Sequence, residues 1–219
     1  MVLFLTVLSG VAWTVVYVDA IRVGLRARTY AVPVAALALN IAWEAIYAVH
    51  GVATDLSAQA VINVVWTVAD VMIVTTFLRF GRRELPEFVS RAMFLAWASG
   101  MLLTAFVVQA LFIGEFGWDN GSGYAAFLQN LLMSGLFIAM FVGRRGARGQ
   151  TLVIAIGKWI GTLAPTIAFG ALGHSVFVLG VGLLCSMFDI AYIGLLLWAR
   201  AAPTALIEHA SAEQAPTAA

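Results

Sequence analysis

Glu44, Asp70, Lys158 and Asp189 are ionisable side chains set inside long apolar runs. At the centre of a membrane helix each costs at least about 2.5–3.5 kcal/mol, so each needs a reason. The three acids have companions at helical spacing. Asn40, Glu44 and Tyr47 fall at i, i+4 and i+7 with Trp43 beside them; Asn63, Trp66 and Asp70 share a second face; Cys185, Asp189 and Tyr192 share a third. Faces of this kind do not suit lipid, and they are expected to converge on one internal pocket. A carboxyl kept from water favours its neutral form, and a neutral carboxylic acid is a usable proton donor. Aromatic faces stabilise a nearby cation, and a dry cavity protects a carbocation from capture by water. The substrate so implied is apolar, membrane-soluble and activated by protonation. A structural reading stands beside this one: the acids hydrogen-bond across a helix bundle or pair with Lys158. Lys158 itself, about eight residues into its run, is expected to snorkel to the cytoplasmic surface.

Other chemistries lack their residues. No DDxxD, DxDD or NDxxD run is present to gather Mg²⁺ around a diphosphate. HExxH, CxxC, GxSxG and Walker motifs are absent as well, so neither a metal nor another cofactor is expected. The last apolar run has no lysine, which excludes a retinal Schiff base there. The one cysteine, Cys185, excludes a disulfide framework.

The elements that must hold these residues are membrane helices. The chain is 63% hydrophobic and 11% charged, with mean hydropathy +0.98, too apolar for a soluble domain of its size. Seven runs are long enough to span a bilayer: Val2–Ala20, Ala31–His50, Ala58–Phe80, Ala92–Ile113, Gly123–Val142, Thr151–Ala171 and Ser175–Ala199. The first has no basic residue before it and is read as a helix rather than a cleaved signal. Arginines fill the first, third and fifth connections (Arg22, Arg26 and Arg28; Arg79, Arg82, Arg83 and Arg91; Arg144, Arg145 and Arg148), and Arg200 follows the last span. The other connections hold no Lys or Arg, so the amino terminus is expected outside and the carboxyl terminus in the cytoplasm. His50 falls at an outer helix end, where it is expected to meet water, and Asp19 is close enough to the cytoplasmic end of its span to do the same. The expected fold is therefore an all-α membrane protein, a seven-transmembrane-helix bundle over residues 1–200. A short disordered cytoplasmic tail is expected over 201–219. A net charge of +1 and the lack of a basic tract with interleaved aromatics give no reason to expect nucleic acid, and no obligatory protein partner is evident.

The segments Asn40-Ile-Ala-Trp43-Glu44-Ala-Ile-Tyr47 and Phe188-Asp189-Ile-Ala-Tyr192, with the stretch from Trp66 through Asp70 to Thr75, Phe80 and Gly81, carry a resemblance. The chain resembles the small integral-membrane terpene cyclases of fungal meroterpenoid and indole-diterpene biosynthesis, and their bacterial relatives in drimentine-type indole sesquiterpenoid pathways. The likeness extends over nearly the whole chain, although each motif is short. It implies that Glu44 and Asp189 are required for cyclisation, with Glu44 as general acid and Asp189 holding it, reprotonating it or accepting the final proton. Asn40, Trp43, Tyr47, Asn63, Trp66, Asp70 and Tyr192 are the candidates for lining the substrate site. The implied substrate is a prenyl chain on an aromatic or indole scaffold, taken from the lipid bilayer and opened at a terminal epoxide or alkene. Minimal loops lean toward the bacterial branch and a bacterial cytoplasmic membrane, with endoplasmic reticulum as the eukaryotic counterpart. The rival reading is a small seven-helix transporter or proton-coupled channel with the acids as a relay, against which stands the lack of paired Gly/Pro-interrupted spans.

Overall fold

The computed structural model describes residues 1–54 and 56–202. The expected tail over 201–219 lies almost wholly outside them. Six helices form the described chain: α1 Val2–Ala27, α2 Val34–Thr54, α3 Ala58–Phe80, α4 Arg91–Gly143, α5 Leu152–Pro165 and α6 Val176–Ala201. A short 3₁₀ turn, Gly81–Glu84, follows α3, and a π-helical stretch, Thr166–Ala171, continues α5. The sequence punctuates these elements clearly. The side chains of Ser57, Ser90, Thr151 and Ser175 each accept a hydrogen bond from the backbone N–H three residues on, capping α3, α4, α5 and α6.

Six helices, with α5 extended by its π-helical stretch, are long and apolar enough to cross a membrane. The expected count was seven separate spans. The runs Ala92–Ile113 and Gly123–Val142 both fall in the 53-residue α4, because the connection expected between them is itself helical on either side of one residue. That residue is Gly117, at φ 75° and ψ 176°, a conformation open essentially to glycine alone. There the chain reverses: Gln109 Nε2 donates to Gln129 Oε1 at 2.9 Å, twenty residues on, and Phe116 meets Tyr124 edge to face.

Proximity of α1 and α5 comes from small residues. A Cβ on Gly157 would lie 2.8 Å from Val16, and one on Gly161 2.8 Å from Trp13. This is the small-xxx-small spacing that lets membrane helices approach closely. Pro165 lacks the N–H that would bond the Gly161 carbonyl, and the Ser9 hydroxyl donates to that carbonyl at 2.6 Å instead.

The two ends of the bundle differ. At one, Arg144 joins three connections, bonding Glu84 through Nε at 3.0 Å and the Tyr30 carbonyl through Nη2 at 3.0 Å, and stacking over the Tyr30 ring. Thr29 donates to Glu84 within the same cluster. Asp19 was expected near water, but it is buried, bonded to Arg22 at 2.6 Å and to the Thr151 hydroxyl at 2.5 Å. The opposite end holds the α1 N-terminus, the α2–α3 connection and the Gly117 reversal. His50, expected in solvent, is stacked there on Trp118, ring centroids 3.7 Å apart.

Candidate active site

A cavity of about 910 Å³ lies among α1, α2, α3, α4 and α5, toward the end away from the arginine cluster. Six aromatic side chains line it: Trp13, Tyr17, Trp43, Trp66, Phe127 and Phe169. The size is that of a small-molecule site, and a mainly apolar wall with few polar groups is the usual design.

Among the described residues, Glu44 is the carboxyl on that wall. It is 4% exposed, and its Oε2 has no hydrogen-bond partner. Asn40, one helical turn earlier on α2, lines the same wall and donates from Nδ2 to Tyr17 Oη at 2.6 Å and to Asp70 Oδ2 at 2.9 Å. Trp43 is held by its indole N–H on the Ser122 carbonyl at 3.0 Å. Trp66 donates to Thr14 across the α1–α3 gap at 3.2 Å and stacks on Tyr17.

The three acids are not on one cavity. Asp70 sits behind Asn40 and lines a separate void of about 20 Å³ that also touches Lys158. Asp189 does not line the large cavity at all. Both its oxygens accept from Lys158 Nζ, at 2.8 and 2.9 Å, and Lys158 also donates to Ser134 at 2.7 Å. Lys158, expected to snorkel, is 0% exposed. The phase of α5 points it at α6, where Asp189 compensates its charge. The pairing named in the structural reading is thus present for Asp189.

Of the remaining candidates, Asn40, Trp43 and Trp66 line the cavity. Tyr47 packs between Trp43 and Trp118 outside it, and Asn63 is buried, accepting from Gln59 at 2.8 Å. Tyr192 stacks on Phe137 and donates to Gln150 at 2.6 Å, which ties α6 to the start of α5. Sequence reasoning missed Trp13, Tyr17, Phe127, Gln129 and Phe169. The signal for the α1 residues was there: Ser9, Trp13 and Tyr17 recur at four-residue spacing. Among the described residues no group of three or more His, Cys, Asp or Glu side chains is placed to hold a metal ion.

Residues 1–201 match the family of Pyr4-like transmembrane terpene cyclases. The terpene cyclase pyr4 of Aspergillus fumigatus is 25% identical over 197 residues, 84% of this chain and 81% of that one. The Pyr4-family terpene cyclase mfmH of Annulohypoxylon moriforme is 28% identical over 171 residues, 75% of this chain and 68% of its own. The terpene cyclase ascF of Acremonium egyptiacum is 30% identical over 170 residues, 71% of this chain and 62% of that relative. No solved structure matches the chain.

Proposed function

The chain belongs to the Pyr4-like transmembrane terpene cyclases, an integral membrane family, and on that premise we propose that Glu44 starts cyclisation by protonating a prenyl chain folded into the large cavity. One observation carries the proposal: a buried carboxyl with an unpartnered oxygen on the wall of an apolar, aromatic cavity. Glu44 enters the reaction as the neutral acid. Its proton passes to the CH carbon of the terminal alkene, breaking the π bond and leaving the cation on the dimethyl carbon, or to a terminal epoxide oxygen, releasing the bond from that oxygen to the dimethyl carbon. The next alkene's electron pair closes a C–C bond onto the cation. Loss of a proton from the last cation ends the cascade, so the product is an isomer of the substrate and no oxidant is consumed. The aromatic faces of Trp13, Trp43 and Trp66 line the cation's path. Initiation by a side-chain acid asks for no metal.

Asp189 acts through Lys158 in this reading, holding α5 and α6 in register, and Asp70 acts through Asn40. The substrate is a farnesyl-type chain on an indole or other aromatic scaffold. It arrives from the bilayer, because the α1 and α3 residues at the cavity mouth, Val7, Val11, Val61 and Val65, are also exposed on the outside of the bundle. The reversal at Gly117 makes α4 cross twice, giving seven crossings. The arginine-bearing end faces the cytoplasm, with the amino terminus outside. Short connections favour the bacterial branch and a bacterial cytoplasmic membrane, with an unoxidised farnesyl group on an indole-derived cyclic dipeptide.

Membranes containing the protein, incubated with farnesylated and epoxyfarnesylated indoles, should yield cyclised isomers of unchanged mass. Recovery of both compounds uncyclised, together with proton or solute flux in liposomes, would replace this reading with the transporter.

A further inference from the structure

Among the described residues Tyr17 is the one phenol on the cavity wall, and the proton transfer from Glu44 does not use it. Its hydrogen-bond surroundings have a fixed direction. The starting point is the Leu39 carbonyl, which can only accept. Gln109 turns its Nε2 to that carbonyl at 3.3 Å and to Gln129 Oε1 at 2.9 Å. With its oxygen used, Gln129 offers Nε2 to Asn40 Oδ1 at 3.5 Å. Asn40 is thereby left with its amide hydrogens for Tyr17 Oη and Asp70 Oδ2. Each step leaves the next group one choice. At the end of the chain Tyr17 Oη already accepts a bond, and its own hydrogen needs an acceptor. Glu44, one helical turn after Asn40 on α2, shares the cavity wall with that hydroxyl.

We infer that Tyr17 is a positioning residue for Glu44: its hydroxyl donates to one carboxyl oxygen, which turns the other, with the transferable proton, toward the substrate. This rests on the reading of Glu44 as proton donor. When Glu44 gives up its proton, the Tyr17 bond strengthens onto the carboxylate left behind, and Tyr17 keeps its own proton throughout. A hydrogen bond to a charged group is the stronger class, so its gain falls in the transition state rather than in binding.

Tyr17→Phe tests this, because it removes only the hydroxyl and keeps the ring stacked on Trp66. On the farnesylated indole, kcat should fall about 10- to 100-fold with KM nearly unchanged. Added to Glu44→Gln, Tyr17→Phe should cost nothing further, as expected when one residue acts through the other. Infrared difference spectra of the substrate-free protein give a readout independent of turnover. The neutral carboxyl carbonyl band lost in Glu44→Gln should move to higher wavenumber in Tyr17→Phe. An unmoved band, or equal effects of Tyr17→Phe in the two backgrounds, overturns the role of Tyr17 alone. No band lost in Glu44→Gln overturns the reading of Glu44 as the neutral acid.

Discussion

Lys158 and Asp189 form an ion pair of 2.8 Å between α5 and α6, with both side chains 1% exposed. A buried charge left without its partner is strongly destabilising, whereas replacing both partners by apolar groups is often neutral. Lys158→Met and Asp189→Asn should each cost about 3–5 kcal/mol of stability in detergent unfolding. The double variant Lys158→Met/Asp189→Leu should recover most of that loss and retain cyclisation. A double variant that is stable but inactive would give Asp189 a direct part in the chemistry.

Gly117 makes α4 a hairpin rather than one rod. Gly117→Ala forces a Cβ into a backbone region that L residues avoid and should destabilise the protein by about 1–3 kcal/mol, read as a lowered unfolding midpoint. An unchanged midpoint would mean that the reversal does not depend on that residue's backbone conformation.

Gly10 lines the cavity on α1, and a Cβ built there meets nothing within 4 Å. Gly10→Trp should therefore fold at near wild-type stability while filling part of the cavity mouth. Its kcat/KM on the farnesylated indole should fall, and fall less on a shorter geranylated indole. Equal losses on both would mean that the prenyl chain does not occupy the α1 side.

The apolar runs made most spans legible, and Glu44 stood out because nothing in its run could make a carboxyl at home in lipid. The Gly117 hairpin was misread as a loop. Asp119, Asn120 and Gly121 look like loop residues, yet one glycine suffices to turn the chain and its neighbours stay helical. Lys158 was misassigned for a different reason. Snorkelling and pairing are both open to a lysine eight residues into a helix, and only the rotation of α5 against α6 selects between them. Tyr17 did not stand out in the sequence, because its meaning depends on a chain of amides on α2 and α4 that are remote in sequence.

If Glu44 supplies the initiating proton, solvent deuterium must enter the product at one carbon and at a rate set by that carboxyl. With the farnesylated indole in D₂O, wild type should place one deuterium on the ring CH₂ carbon next to the gem-dimethyl carbon of the cyclised product. Glu44→Gln should lower the rate of that product's formation by about 10²–10⁴-fold. Labelled, cyclised product formed at the wild-type rate by Glu44→Gln would exclude Glu44 as the source of that proton.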